Sequence, residues 1–180
     1  IEPSKKHFSI GVELNIGTVS TYLGTHAKPG LKCLLLQTFG NPCLSLNDSG
    51  LEGGRAIQTS LTTSSTESEL APRFLFVAGG TGITPLFSMM KWLCAQQANV
   101  VLLYSHKGPE APFLQELIDM NRRYPNCSVW MYYTQEMPSL TLPHMKMGHL
   151  SVAEIKRKVP DIASRHLYTL GPKSFMGFVT

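Results

Sequence analysis

From Arg73 onward, the pattern of apolar and polar residues alternates between two kinds of segment. Continuous apolar runs are typical of strands buried on both faces, and apolar residues at helical spacing are typical of helices that cover a sheet. The pattern predicts four strands, at residues 74–78, 100–104, 129–133 and 166–170. Helical patterns occupy residues 85–97 and 112–121, and further helices are expected to start at Ser151 and Pro172. This order predicts a parallel sheet with helices on both faces.

The residues before Arg73 follow a different pattern. Apolar and polar side chains alternate over residues 7–14, which predicts a half-buried strand, and residues 31–36 predict a second one. Residues 18–26 could hold one or two helical turns. From residue 41 the chain becomes rich in Gly, Ser and Thr, which is typical of a flexible connector. We therefore predict a domain boundary near Ala71-Pro72.

The composition of the chain argues against several classes of function. The chain has 180 residues, of which 43% are hydrophobic and 16% charged, enough for one ordinary domain or a domain with part of another. No apolar run is long enough for a membrane span. The net charge of +4 is small, and the aromatic residues of the third predicted strand are expected in the core, so no nucleic-acid partner is expected. The cysteines lack the spacing of a metal or iron–sulfur site, and a reducing, cytoplasmic setting is expected.

The strongest local motif is the segment 78–85, Ala-Gly-Gly-Thr-Gly-Ile-Thr-Pro, between the first predicted strand and the helix after it. Its glycines allow positive φ and let a ligand approach the backbone. Thr84 is expected to cap the helix and Pro85 to occupy its first position. The free N–H groups of the helix start suit a pyrophosphate, although a tight turn that binds nothing gives the same pattern.

Two further motifs follow predicted strands. Gly171-Pro172 comes after the fourth strand, at the edge of the sheet where ligands usually bind. Ser105 and Lys107 end the second strand, where a dinucleotide fold faces the adenosine ribose. A hydroxyl and an ammonium group could hold the 2′-phosphate of NADPH, and NADH remains an alternative. A helix cap without a ligand, or a solvated loop, would also explain these residues.

Together these segments resemble the ferredoxin–NADP reductase superfamily. Residues 78–85 resemble its nicotinamide-nucleotide loop, and residues 103–117 resemble its second strand, adenosine loop and helix. Leu170-Gly171-Pro172, followed by Phe175-Met176, resembles its C-terminal CGP…M motif. Upstream, residues 17–23 resemble the G-x-V-S-x-x-L segment that binds the flavin pyrophosphate. Residues 160–172 are most similar to reductases that serve hybrid-cluster proteins or ring oxygenases.

The resemblance implies a flavin-dependent NAD(P)H oxidoreductase that passes electrons from NADH or NADPH through FAD to an iron–sulfur or haem protein. It implies an α/β fold with a Rossmann-like sheet, preceded by part of an antiparallel β-barrel. The implied domains are a partial FAD-binding barrel at 1–45, a connector at 46–72 and an NAD(P)-binding domain at 73–180 lacking its C-terminal end. The implied cofactor-binding residues are Val19, Ser20, Thr21, Gly80, Thr81, Gly82, Thr84, Pro85, Ser105, Lys107, Gly171, Pro172 and Met176. No catalytic acid or base, metal ligand or iron–sulfur cluster is expected.

The chain also departs from the family pattern. The R-x-Y-S/T motif that grips the flavin has no match, and Leu170 replaces the usual cysteine of the CGP motif. The last strand of the family is expected beyond Thr180. The alternative is therefore a non-catalytic dinucleotide-binding fragment whose flavin site is lost by truncation. A plain α/β protein-interaction module is a third reading.

Overall fold

The computed structural model describes residues 17–32, 71–139 and 142–179. The chain divides into two compact units, Ile1–Leu61 and Thr62–Thr180. The predicted strand at 7–14, most of the predicted strand at 31–36 and nearly all of the predicted connector lie outside the described residues.

In the first unit, the described residues form one helix, α1 (Thr18–His26), and a turn. Gly17 precedes the helix, and its N–H donates to Ser20 Oγ at 2.9 Å. The rings of Tyr22 and His26 stack with their centroids 4.2 Å apart. Every residue of α1 is at least partly exposed. The helical turns expected at residues 18–26 are confirmed.

The second unit is a five-stranded parallel sheet with helices, which confirms the predicted α/β class. Its elements are β1 (Arg73–Gly79), α2 (Ile83–Ala95), β2 (Asn99–His106), α3 (Leu114–Arg123), β3 (Cys127–Tyr133), β4 (Met145–Met147), α4 (Val152–Lys158), β5 (His166–Leu170) and α5 (Lys173–Val179). The strand order is β4-β3-β2-β1-β5, so β5 lies on the opposite side of β1 from β2.

The core forms on both faces of β1 and β2. Leu75 and Val77 pack on one face with Ile155 and Val159 from α4 and the segment after it. Successive side chains of a strand point to opposite faces, so Phe76 and its alternate neighbours belong to the other face. Because both faces are covered, residues 74–79 of β1 are all buried. This explains why the strand is a continuous apolar run.

The structure adds one strand to the predicted elements and moves the start of two predicted helices. Strand β4 was not predicted, because its three residues, Met-Lys-Met, carry no periodic pattern and pair with the end of β3. Helix α2 starts at Ile83 rather than Pro85, because a 3₁₀ turn at Gly80–Gly82 leads into it. Helix α3 starts at Leu114 rather than Pro112, because Phe113 has left-handed backbone angles.

A polar cluster joins α4 to the edge strand β4. Ser151 Oγ accepts the N–H of Glu154 at 3.2 Å, so Ser151 caps α4 as predicted. The Glu154 carboxylate binds Lys146 of β4, and its second oxygen accepts from Arg157 at 2.6 Å. Hydrogen bonds from Lys146 and Arg157 hold the pKa of Glu154 below its ordinary value.

A second cluster joins the amino ends of β1, β2 and β5. The Arg165 side chain, only 8% exposed, donates to Asp161 Oδ1 at 2.9 Å and to Asn99 Oδ1 at 2.7 Å. It also donates to the carbonyl oxygen of Phe74 at 3.1 Å, and Arg73 reaches Asp161 Oδ2 at 3.0 Å. The hydrogen bond from Arg165 is the main reason that the pKa of Asp161 lies below its ordinary value of 3.8.

We predict that Asp161→Asn destabilises the second unit by roughly 1–2 kcal/mol at pH 7, because the buried Arg165 loses its charged partner. A carboxyl group with a lowered folded pKa stabilises the fold above its unfolded value of about 4, and this contribution disappears as the pH falls through the lowered pKa. The difference in unfolding free energy between Asp161→Asn and the unmodified chain should therefore be smaller at about pH 3 than at pH 7. Urea unfolding at both pH values measures it.

The matched control is Asp119→Asn, on the exposed face of α3, where Asp119 accepts from Gln115 at 3.1 Å. This control should leave the unfolding free energy almost unchanged at both pH values. An equal loss of stability for Asp161→Asn at pH 7 and at pH 3 would contradict the role given to the carboxylate charge.

Candidate dinucleotide-binding site

Three of the predicted motifs meet at one edge of the sheet. Gly79 of β1 pairs with Ser105 of β2, and Ala78 pairs with Leu170 of β5, so the three strands end side by side. The chain continues from β1 to β2 on one side, while β5 lies on the other. Ligands of parallel sheets bind where the strand order reverses in this way.

Gly80 is the open glycine of the turn after β1. Its φ of +54° lies in the left-handed region that favours glycine, and no atom beyond its chain neighbours lies within 4 Å of the place a Cβ would occupy. The neighbouring Thr81 is exposed. A ligand can therefore approach the backbone of Gly80 without moving a side chain.

The sequence-based roles of Thr84 and Pro85 at the start of α2 were wrong. Gly82 occupies the capping position, and the Thr84 hydroxyl donates to the carbonyl oxygen of Thr81 at 2.9 Å. Pro85 is the third residue of the helix rather than the first. The reason is the 3₁₀ turn, which starts the helical path earlier than the threonine and proline pattern indicates.

The other glycines of the two motifs are explained by packing. A Cβ on Gly82 would overlap the carbonyl oxygen of Leu170. A Cβ on Gly79 or Gly171 would lie 2.9 or 2.7 Å from the ring of Phe175, closer than carbon atoms can pack. These three glycines therefore let β1, β5 and α5 approach one another, which is a structural role distinct from that of Gly80.

Phe175 is the residue whose role the sequence reasoning missed. It packs against the core cluster and covers the glycines that end β1 and β5. The signal was present as two strand-end glycines, Gly79 and Gly171, and an apolar residue four positions after the second one. The resemblance to the CGP…M motif instead directed attention to the next residue, Met176.

Met176 lies beside the end of β5, on the first turn of α5. Its N–H donates to the carbonyl oxygen of Pro172 at 2.9 Å, and its sulfur accepts from Thr169 Oγ1 at 3.4 Å. Helix α5 begins at Lys173, so Pro172 lies immediately before the helix rather than within it. Gly171, Pro172 and Met176 are thus brought together at the same edge as the glycine turn.

The end of β2 is held by its neighbours. The carbonyl oxygen of Lys107 accepts from the N–H groups of Gln135 and Glu136, at 3.0 and 3.1 Å, and His106 Nδ1 lies 2.8 Å from the carbonyl oxygen of Gly108. The Lys107 side chain is exposed, and Ser105 is half-buried. The backbone that carries the two candidate ribose-binding residues is therefore fixed, while the Lys107 side chain extends into solvent.

The predicted flavin-binding residues lie in the first unit. Val19, Ser20 and Thr21 form the start of α1, and Val19 is 72% exposed. The Ser20 hydroxyl accepts from the N–H of Gly17 and donates to its carbonyl oxygen, both at 2.9 Å. The hydroxyl therefore caps the helix.

Comparison with known proteins then identifies the family. Residues 76–180 match the family described as the oxidoreductase NAD-binding domain. The chain belongs to this family. The resemblance to the ferredoxin–NADP reductase superfamily is confirmed, and the edge that gathers Gly80, Ser105 and Gly171 is the candidate nucleotide site of an NAD-binding domain.

Curated relatives of this NAD-binding domain are reductases. A glycine betaine monooxygenase reductase subunit of Pseudomonas aeruginosa (strain UCBPP-PA14) is 28% identical over 112 residues, which are 61% of this chain and 30% of the relative. The NADH oxidoreductase HCR of Escherichia coli (strain K12) is 32% identical over 109 residues, which are 59% of this chain and 30% of the relative. The matched region thus spans just under a third of these relatives.

A solved structure shows the same fold. The flavohem-like FAD/NAD-binding domain of nitric oxide dioxygenase from Vibrio cholerae O1 biovar El Tor aligns with a TM-score of 0.57 at 18% identity. The alignment covers 91% of this chain and 56% of that one. Among residues 17–32, 71–139 and 142–179, no helix is long and apolar enough to cross a membrane, and no three potential ligands form a metal site.

The two roles of glycine predict different costs of substitution. Gly82→Ala should destabilise the NAD-binding domain by roughly 2–3 kcal/mol, because the new methyl group overlaps a carbonyl oxygen that belongs to a paired strand. Gly80→Ala should destabilise the domain by only about 1 kcal/mol, because the left-handed backbone strains the alanine but its methyl group overlaps no other atom. Urea unfolding of both variants measures the difference.

Gly177→Ala serves as the control for this pair. Gly177 lies in α5 and is exposed, and no atom outside its own helix backbone lies within 4 Å of a Cβ position. Alanine should stabilise this helix by up to about 1 kcal/mol. If Gly80→Ala costs as much as Gly82→Ala, the distinction between an open glycine and packed glycines is wrong.

Proposed function

We propose that the chain is the dinucleotide-binding part of a flavin-dependent NAD(P)H oxidoreductase. The observation that carries the proposal is the open, left-handed Gly80 in the 3₁₀ turn before α2, beside the point where the strand order reverses. Membership in the NAD-binding family and the reductase names of the relatives support it.

The glycine turn suits a pyrophosphate in both shape and charge. Helix α2 has 13 residues, and neither its first turn nor the 3₁₀ turn before it contains an acidic residue. The positive end of the helix dipole therefore acts on this region without an opposing carboxylate. Gly80, Thr81 and Gly82 would bind the pyrophosphate, with Thr84 and Pro85 completing the turn.

The two ends of the nucleotide would extend to opposite sides of this turn. The adenosine ribose would lie near Ser105 and Lys107, and the nicotinamide would lie near Gly171, Pro172 and Met176. Bound NAD(P)H would supply a hydride, and bound FAD would accept it and release electrons singly. The protein residues contribute binding and orientation, because no acid or base is required for hydride transfer.

The flavin pyrophosphate would be bound at the start of α1. Val19, Ser20 and Thr21 lie at the start of this nine-residue helix, which contains no acidic residue in its first turn, and they would contact the pyrophosphate at the positive end of the helix dipole. The electron acceptor would be an iron–sulfur or haem protein, and the expected setting is the cytoplasm.

The deciding experiment adds FAD to the purified chain, removes free FAD and records the visible spectrum before and after anaerobic NADH or NADPH. Retained flavin that bleaches with either nucleotide is the expected result, and it also shows the coenzyme preference. A colourless protein that still binds a nucleotide would overturn the enzymatic part of the proposal. That outcome would instead favour the non-catalytic nucleotide-binding fragment.

The coenzyme assignment is tested by Lys107→Gln. If the Lys107 ammonium binds the 2′-phosphate, the variant should bind NADPH roughly tenfold more weakly and NADH with unchanged affinity, because one charge-assisted hydrogen bond is lost. Isothermal titration of each nucleotide measures both affinities. Lys156→Gln, on the exposed part of α4, is the matched control. Equal weakening of NADH and NADPH binding would contradict contact with the 2′-phosphate.

A further inference from the structure

Phe113 has an unusual backbone for a bulky residue. Its φ of 61° and ψ of 22° place it in the left-handed region, immediately before helix α3. A large side chain rarely adopts this conformation, because the Cβ is then too close to the following carbonyl oxygen. Strained residues of this kind persist only where surrounding contacts stabilise them, and they are concentrated at functional sites.

The contact at Phe113 is an aromatic stack with α2. The rings of Phe113 and Phe87 lie nearly parallel, with an angle of 11° and centroids 4.3 Å apart. Lys91, one turn further along α2, places its ammonium group 5.7 Å from the centre of the Phe87 ring. The stack therefore joins the entry of α3 to the helix that follows the glycine turn.

The stack is one end of a loop that is held at both ends. We define the β2–α3 loop as residues 107–113. At its first residue, the Lys107 carbonyl oxygen accepts two N–H groups from the segment after β3. At its last residue, the Phe113 carbonyl oxygen accepts from Leu117 at 2.8 Å, and its ring lies on Phe87. Between them, Ala111 is buried.

We propose that the Phe113–Phe87 stack is a positioning contact for the adenosine half of the nucleotide. It holds the β2–α3 loop at a fixed distance from α2, and therefore fixes the ribose-binding end of the site relative to the glycine turn. The inference rests on the proposed function and adds two positioning residues, Phe87 and Phe113, to the candidate cofactor-binding residues.

Ordinary packing of two apolar side chains does not account for the geometry. Phe87 is nearly buried and Phe113 is half-buried. Their side chains would make apolar contact even if the backbone of Phe113 had ordinary, unstrained angles. The left-handed backbone is the additional feature, because it turns the chain between the loop and α3. The stack offsets that strain, and its loss should release the loop before it affects the rest of the domain.

The test compares Phe113→Leu, which keeps apolar bulk but removes the planar ring, with Phe113→Tyr, which keeps the stack. The probes are 5′-AMP for the adenosine half of the site and inorganic pyrophosphate for the glycine turn, titrated into the ¹⁵N-labelled full chain. Phe113→Leu should weaken 5′-AMP binding roughly five- to tenfold and leave pyrophosphate binding within twofold of the unmodified chain. Phe113→Tyr should bind both probes normally.

Phe87→Leu, from the other side of the stack, provides the second arm. It should reproduce the effect of Phe113→Leu, and the double variant should lose little more than either single one, because both remove the same contact. Hydrogen exchange gives an independent measure: amides of residues 107–113 should exchange faster in the leucine variants, while those of β1 and β2 should not change.

Two results would overturn the inference. One is unchanged 5′-AMP affinity and unchanged loop exchange in Phe113→Leu, and the other is equal weakening of both probes with faster exchange throughout, which marks a general packing role. If the unmodified chain binds neither probe, the proposed function fails, and the stack then has no nucleotide to position. Faster exchange confined to the loop would still show, in that case, that the stack holds it.

Discussion

Strand β1 is paired on both sides and buried on both faces, and this confinement determines which backbone groups at its carboxyl end a ligand can reach. Its backbone groups are used by β2 and β5, so the chain that leaves it must turn at once to begin α2. The ring of Phe175 covers Gly79, and the carbonyl oxygen of Leu170 meets Gly82. Between these two contacts lie Gly80 and the exposed Thr81, and a ligand can reach the backbone of Gly80 because no side chain covers it.

The sequence did not predict the elements of the fold that depend only on long-range packing. Continuous apolar runs identified β1 and β2, because burial on both faces demands apolar side chains at every position. Strands β3 and β5 were also predicted, although each includes an exposed position. Strand β4 exists only because Met145–Met147 pairs with the end of β3, and three residues carry no periodic signal. The left-handed turn at Phe113 delays α3 by two residues, and nothing in the identity of a phenylalanine indicates that backbone conformation.

For the candidate site, the sequence predicted where it lies better than what each residue does. The glycine motif, Ser105 with Lys107, and Gly171-Pro172 do meet at one edge, as parallel strands require. However, the same residue type has two roles there. Gly80 has a left-handed φ beside open space, whereas Gly82 and Gly171 are required by the atoms that they touch. A glycine pattern cannot separate these roles, because both need only the absence of a side chain.

The charges at the carboxyl ends of the strands favour an anion at the candidate site. At the amino ends, by contrast, the arginines Arg73 and Arg165 are both engaged by the Asp161 carboxylate in structural ion pairs. At the carboxyl ends, the start of α2 has no acidic residue in its first turn, and Lys107 makes no ion pair with any residue of the described ranges. The helix dipole and the Lys107 charge therefore act in the same direction. A ligand with phosphates along its length matches that arrangement better than a neutral one, whichever coenzyme occupies the site.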